Sequence, residues 1–408
     1  GEVAAEVGGA IWIPFTVAFV LALLTATAYA ELVTKYPVAA GAALYVHKAF
    51  RIRFLTFMVA FLVMSSGVTS ASALAKAFAG DYFATFFDLP IIGISLVFIA
   101  LVTLVNLRGI AESVTLNAAF TLIEVTGLLI IIVIGILALV GGTGDPGRAL
   151  EFKAGSSPLA LVIAGTTLSF YALIGFEDSV NVAEETREPS RAFPRALFGG
   201  MIVAGLIYLL VTFTSSMVVE TGALSGSDAP LLEVVKAGTL SVPLTLFSVI
   251  ALFALANGAL INMIMASRLV YGMANQGIVP RLFSRVLPGR RTPWTAIIFT
   301  TALAVMLIIT GDLGVLADTT VMLLLIVFTI VNVCVLVLRK DPVDHDHFHA
   351  PTIGPIIGAL VSAFLITQNE AAIYLRAGII ILIGLVFYGI NVAVGGRGGE
   401  LDAKEMAG

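Results

Sequence analysis

SFYALIGFEDSVNVAEETREPSRAFPRAL, residues 169–197, continues an apolar run of membrane length, breaks it at Gly175 and turns acidic at Glu177 and Asp178. A bilayer interior has no water to satisfy free backbone groups, so a broken helix is tolerated there only where it lines a cavity enclosed by protein. Gly175 releases the backbone from helical φ and ψ and lets a ligand approach closely. Glycine also serves as a packing residue in membrane helices, but packing gives no reason for the two carboxyl groups behind it. A break with carboxyls beside it is a typical place for a carrier to hold cargo or a coupling ion.

Composition places that break in a membrane. Of 408 residues, 59% are hydrophobic and 12% charged, against about 25% charged in ordinary soluble chains. Apolar runs near the roughly 20 residues a span needs cover residues 11–32, 54–78, 91–107, 114–140, 159–183, 196–219, 243–271, 294–309, 315–338, 353–367 and 371–394. They predict an all-α polytopic membrane protein: one transmembrane domain over residues 1–394 and a short cytoplasmic tail, 395–408. Cys334 stands alone inside a span, which leaves no disulfide framework and no cysteine metal site. No HExxH, GxSxG or Walker A pattern occurs, so protease, hydrolase and ATPase chemistry lack their residues. The expectation is a non-enzyme with no cofactor, no metal and no nucleic-acid partner, its surroundings the lipid bilayer. The sequence DHDHFH, with His345, His347 and His349, precedes the tenth run and reads as a solvated loop rather than a metal site.

Lysines and arginines are sorted by side. Of 22, only Lys76, Arg148, Lys153, Lys236 and Arg376 fall on one side of the alternating spans. The rest, among them Lys35, Arg108, Arg191, Arg285 and Arg339, fall on the other, which the positive-inside rule makes cytoplasmic. The C-terminus is then inside, in a plasma (inner) membrane. The same alternation puts Gly1 outside. Residues 1–10, GEVAAEVGGA, are too short to cross, and are expected to be the outer end of a span whose first half lies upstream.

Other polar residues lie deep in the spans. An ionised carboxylate at mid-membrane costs roughly 2.5–3.5 kcal/mol on insertion scales, so Glu177 calls for a function or a fixed partner. A carboxyl that can gain and lose a proton there is a candidate proton carrier. Asp178, one residue on, also suits the N-cap of a helix restarting after the break. Glu124 lies ten residues into the fourth run, about 15 Å deep at 1.5 Å per residue; it could bind a cation, carry a proton or pair with another side chain. Asn257 and Asn262 are five apart, about 140° around a helix, and so face different neighbours. Ser65, Ser66, Thr69 and Ser70 make a polar stripe of the kind that helix crossings use.

Three segments together carry a resemblance: TAYAELVTKYPVAAGAALYVHKAF (27–50), the GFED…AEETREPSRAFPRAL stretch, and ASRLVYGMANQGIVP (266–280) followed by RTPW (291–294). In this order and spacing the chain resembles the amino acid–polyamine–organocation permeases along nearly its whole length. The resemblance implies a LeuT-type fold of twelve spans, two inverted five-helix repeats and a midplane site between broken spans 1 and 6. The runs above become spans 2–12, with span 1 incomplete. It further implies that exposed backbone around Tyr171, Leu173, Ile174 and Gly175 contacts the substrate's α-groups, with Tyr171 and Phe176 as aromatic walls or a gate. Asn262 matches a pocket-lining position of some relatives, while Asn257 reads as interhelical glue. Relatives often carry an acid linked to coupling where Glu177 stands; Glu124 is the second candidate coupling residue, from its burial alone. Several relatives carry lysine where Glu124 stands, so their lysine-based scheme does not transfer. Asn275 and Gln276 replace a common Arg-Asp pair.

The expected function is therefore a secondary transporter moving an amino acid or related amine by alternating access, coupled to H+ or Na+ and most simply to protons. The alternatives are an exchanger without ion coupling, or a non-transporting membrane sensor that keeps the fold.

Overall fold

Long apolar runs with few charges fold as helices in lipid because only a helix satisfies its own backbone within one segment. The computed structural model describes residues 1–37, 41–109, 114–186, 188–275, 279–290 and 292–393. The expected tail, with Arg187, Gln276, Gly277 and Arg291, lies outside the described residues. Every apolar run contains a helix: α1 Trp12–Lys35, α2 Arg53–Ala79, α3 Ile91–Arg108, α4 Val114–Val140, α5 Pro158–Phe170, α6 Pro189–Val218, α7 Leu244–Asn275, α8 Trp294–Thr310, α9 Leu313–Leu338, α10 Ile353–Ile366 and α11 Ala371–Ala393. Among the described residues there is no named strand, only an isolated bridge between Gly8 and Phe152.

Nine described helical segments are long and apolar enough to cross a membrane. Helices α8 and α10 have 17 and 14 residues, about 25 and 21 Å at 1.5 Å per residue, short of a hydrocarbon core about 30 Å thick. The fifth run differs most from its expectation. It is α-helical only as far as Phe170 and continues as tighter 3-10 turns over Tyr171–Leu173 and Phe176–Glu185. Residues Glu2–Val7, expected as the outer end of a preceding span, form a short helix packed against α5.

Local signals set several ends. Ser157 Oγ accepts the Ala160 N–H at 3.2 Å and Pro158 follows it, starting α5, since proline's missing donor costs nothing in a first turn. Helix α3 stops at Gly109, which takes the left-handed conformation at φ 69°.

Helices α2 and α9 are the most enclosed spans. Helix α2 packs chiefly on α7 and α9, α9 on α10, and α1 on α5 and α6. At the α1–α6 crossing a Cβ on Gly205 would come within 2.3 Å of the Phe19 ring, so glycine permits that approach. Large apolar side chains such as Leu122, Leu360 and Leu375 are exposed, as suits a surface solvated by lipid.

At the end rich in lysine and arginine, the first motif becomes a tied corner. Arg339 donates to both oxygens of the buried Glu31 carboxylate, Nε to Oε1 at 2.9 Å and Nη2 to Oε2 at 2.8 Å, a bidentate pairing. The Ala350 N–H adds a bond to Oε2 at 2.8 Å, and Lys35 Nζ donates to the Leu338 carbonyl at 2.6 Å. Tyr36 donates its hydroxyl to Asp341 at 2.6 Å. The DHDHFH segment is largely exposed, as a solvated loop is, but it is also anchored. The Phe348 N–H donates to Thr34 Oγ1 at 3.0 Å, His345 Nε2 lies 3.2 Å from the Thr34 carbonyl, and the Phe348 ring meets Phe198 of α6 at 5.7 Å. The sequence showed hydrophilic residues; the hydroxyl and carbonyl left over at the end of α1 are what hold them.

Candidate functional site

The site begins with the backbone at the break. Ile174 is extended, with φ −75° and ψ 163°, and Gly175 has φ 108°, a conformation that side-chain-bearing residues rarely adopt. A Cβ built on Gly175 meets nothing within 4 Å. Glycine is therefore required here by the backbone dihedral and not by crowding. The chain resumes at once in 3-10 turns from Phe176, which corrects the N-cap expectation for Asp178: that residue lies inside the first turn, and its N–H donates to the Gly175 carbonyl at 3.2 Å. The carboxylate that takes up the amide freed by the break is Glu177, whose Oε2 accepts from Gly175 N at 2.7 Å.

Gly175, Glu177 and Asp178 face a cavity of about 450 Å³, which Tyr171, Ile174, Glu124 and Asn262 also line. That volume falls within the roughly 300–1,000 Å³ of small-molecule sites. Helix α2 supplies one wall through Val63, Ser66, Gly67, Ser70 and Leu74, and α7 another through Gly258, Ile261, Asn262, Met265, Ala266 and Leu269. The three- and four-residue spacings put each set on a single helix face. Thr320 and Leu324 of α9 and Tyr208 of α6 complete the lining, which among the described residues contains no lysine or arginine.

The sequence-predicted residues divide between two cavities. Leu173 and Phe176 line a second space of about 460 Å³ between the broken span and α6, which Ile174 and Tyr208 share with the first. Ala196, Leu197 and Met201 form much of its far wall, and its lining is mainly apolar, with Ser179, Thr186 and Tyr208 the hydroxyl-bearing members and no carboxyl group among the described residues. Phe176 also stacks on Phe328 at 5.4 Å and meets Tyr29 edge-on at 5.8 Å. It belongs to an aromatic cluster with Tyr29 and Phe328, whose rings also meet edge-on at 5.9 Å. Only the first cavity carries the polar groups that an amino acid's charged ends require.

Two polar partnerships cross between helices there. Asn257 Nδ2 donates to Glu124 Oε1 at 3.0 Å, so the amide read as interhelical glue bonds the acid whose partner was unidentified. Asn262, on a different face as expected, donates to the Gly258 carbonyl at 2.9 Å and presents itself to the cavity. The Tyr171 hydroxyl lies 3.2 Å from Ser70 Oγ, linking the broken span to α2. Sequence reasoning left Ser66 and Ser70 as crossing residues and did not single out Tyr208. The four-residue interval between the serines was the available signal, while nothing in the sequence marks Tyr208.

Comparison with known proteins agrees along the chain. A family model described as "Amino acid permease" matches residues 2–391. The chloroplastic cationic amino acid transporter 9 of Arabidopsis thaliana is 29% identical over 310 residues, 71% of this chain and 53% of its own. A branched-chain amino acid permease of Bacillus subtilis is 24% identical, the alignment covering 95% of this chain and 87% of that one. A low-affinity putrescine importer of Escherichia coli is 27% identical with the same coverage. The chain thus spans about half the length of the plant relative, 53%.

Proposed function

The chain belongs to the amino acid permease family, among the amino acid–polyamine–organocation permeases, and on that premise we propose that it is a secondary transporter carrying an amino acid or related amine by alternating access, coupled to protons. The observation that carries the proposal is the acid-lined cavity at the break in the fifth apolar run. The names of these relatives cover cationic and branched-chain amino acids and putrescine, all of them molecules with an ammonium group that such a lining attracts. Tyr171, Ile174, Gly175 and Asn262 hold the substrate; Leu173 and Phe176 form the apolar backing of the break.

Coupling falls to Glu177. Its carboxylate occupies the Gly175 amide, the donor that a substrate's own carboxylate would seek. A substrate carboxylate taking that amide displaces Glu177, and a proton on the displaced acid removes its repulsion of the substrate's carboxylate. Substrate and proton thereby favour each other's binding, which is the thermodynamic content of coupling. Glu124 is the other acid that could carry the proton, held by Asn257 across the same cavity.

The test is uptake of a labelled amino acid and amine panel into proteoliposomes holding the full chain, with the interior buffered above or below external pH. Saturable uptake that rises with an inward proton gradient is expected. Absence of flux for every compound, with binding retained, would instead make the protein a sensor. Trans-stimulation by internal substrate with no response to pH would make it an exchanger.

The basic end faces the cytoplasm of a plasma membrane in this proposal, following the charge sorting. Arg191, Arg285 and Asp228 are all exposed, so cysteines placed there report sidedness. Those replacing Arg191 and Arg285 should react with a membrane-impermeant reagent only after permeabilisation, and the one replacing Asp228 in intact cells. Labelling at Arg285 from outside would reverse the orientation.

A further inference from the structure

Glu124 is not needed at the break, where Glu177 already meets the freed amide, yet it faces the same cavity. Asn257 grips only its Oε1, at 3.0 Å; among the described residues Oε2 has no hydrogen-bond partner. One oxygen is thus anchored, which orients the carboxylate, while the other is left for the cavity. The anchoring amide comes from α7 and the acid from α4, so the pair is held by two different spans and not by a flexible loop. Three carboxyl groups line the cavity and, among the described residues, no lysine or arginine does, so beyond the proton proposed for Glu177 the positive charge that matches them comes with the cargo. An amino acid with an apolar side chain brings one ammonium and one carboxylate, no net charge. A molecule with a second ammonium several carbons from the first brings the missing charge and the length to reach a second wall.

We infer that Glu124, positioned by Asn257, is the specificity-determining residue that receives the distal ammonium of the substrate, so that the cargo is a lysine-like amino acid or an aliphatic diamine. This assignment rests on the transport function proposed above. Glu124 accepts hydrogen bonds from the distal ammonium, and the Gly175 region takes the other end. A lysine-like substrate would place its carboxylate on the Gly175 amide; a diamine would leave that amide to Glu177.

The experiment compares lysine, cadaverine and 2-aminoheptanoate, in which a methyl replaces lysine's distal ammonium, as substrates of the full chain in proteoliposomes. Uptake kcat/KM for lysine or cadaverine should exceed that for 2-aminoheptanoate at least tenfold, and the better of the two identifies which cargo is used. Glu124→Gln should collapse the ratio to near one. Glu124→Asp keeps the charge one methylene short and should retain part of it. Because the ratio is read within each variant, it does not depend on how much protein folds; if the Gln variant yields none, the Asp variant still carries the test. A wild-type ratio near one, or a ratio unchanged in both variants, overturns the role of Glu124 and leaves the permease function standing. Failure of every amino acid and amine in the wider panel to cross overturns that function itself, and the inference with it.

Discussion

Proteoliposomes carrying Glu177→Gln should bind substrate but lose its pH-driven accumulation. Gln keeps an oxygen that can accept from the Gly175 N–H, as Glu177 Oε2 does at 2.7 Å, so the break keeps its local hydrogen bond. What it loses is the ability to take and release a proton. One unit of pH gradient supplies about 1.4 kcal/mol per proton, or about tenfold accumulation. The variant's internal-to-external ratio should stay near one at any gradient while binding persists. Glu124→Gln run beside it separates the two acids. Should Glu177→Gln keep a normal pH response while Glu124→Gln loses it, the proton belongs to α4. That result would also reassign the distal ammonium. Normal coupling in both variants would remove protons on either acid from the mechanism and favour sodium or exchange.

The second large effect is expected from Gly175→Ala. The added methyl has open space around it, since nothing lies within 4 Å of the built Cβ, and a reading from volume alone predicts tolerance. The dihedral predicts otherwise. A residue with a side chain held in a sparsely populated region costs about 1–3 kcal/mol, and at φ 108° alanine relieves that strain by turning the peptide. The flanking segments are held by packing, including Phe176 on Phe328 at 5.4 Å, so the turn is absorbed at Ile174 and Gly175, where the substrate binds. Substrate affinity should fall by about 5- to 150-fold, the equivalent of that energy. An alanine variant that binds substrate at wild-type affinity would show that the geometry of the break does not matter to the site.

The spans themselves were legible because lipid imposes one rule on the whole chain. An apolar run of sufficient length must be helical, and each of the runs contains a helix. The break at Gly175 was legible for the same reason, since a glycine followed by acids contradicts that rule locally. Lys35 and Leu338, both at run ends read as lying on the basic side, meet through a hydrogen bond of 2.6 Å. The form of the chain after the break was not legible. Asp178 has the chemistry of a cap, but the helix restarts too early for it to act as one, because Glu177 reaches back to the free amide first.

Which helix face meets which neighbour is a different kind of information. A soluble helix announces its buried face by alternating with polar residues, whereas these spans are apolar on every side. Asn257 and Glu124 are 133 residues apart, and no period in either span foretells their pairing. Phe176 and Gly175 are adjacent in sequence yet line different cavities, because the left-handed kink redirects the chain between them. The docked DHDHFH segment likewise depends on a hydroxyl and a carbonyl of Thr34 that only the finished packing leaves exposed to it. The sequence by itself determined that this is a polytopic helical membrane protein with a broken fifth apolar run and buried acids, since water-free surroundings act on each segment independently. Only the tertiary structure decided which side chains share the cavity, because that depends on helix rotations set jointly by all the neighbours.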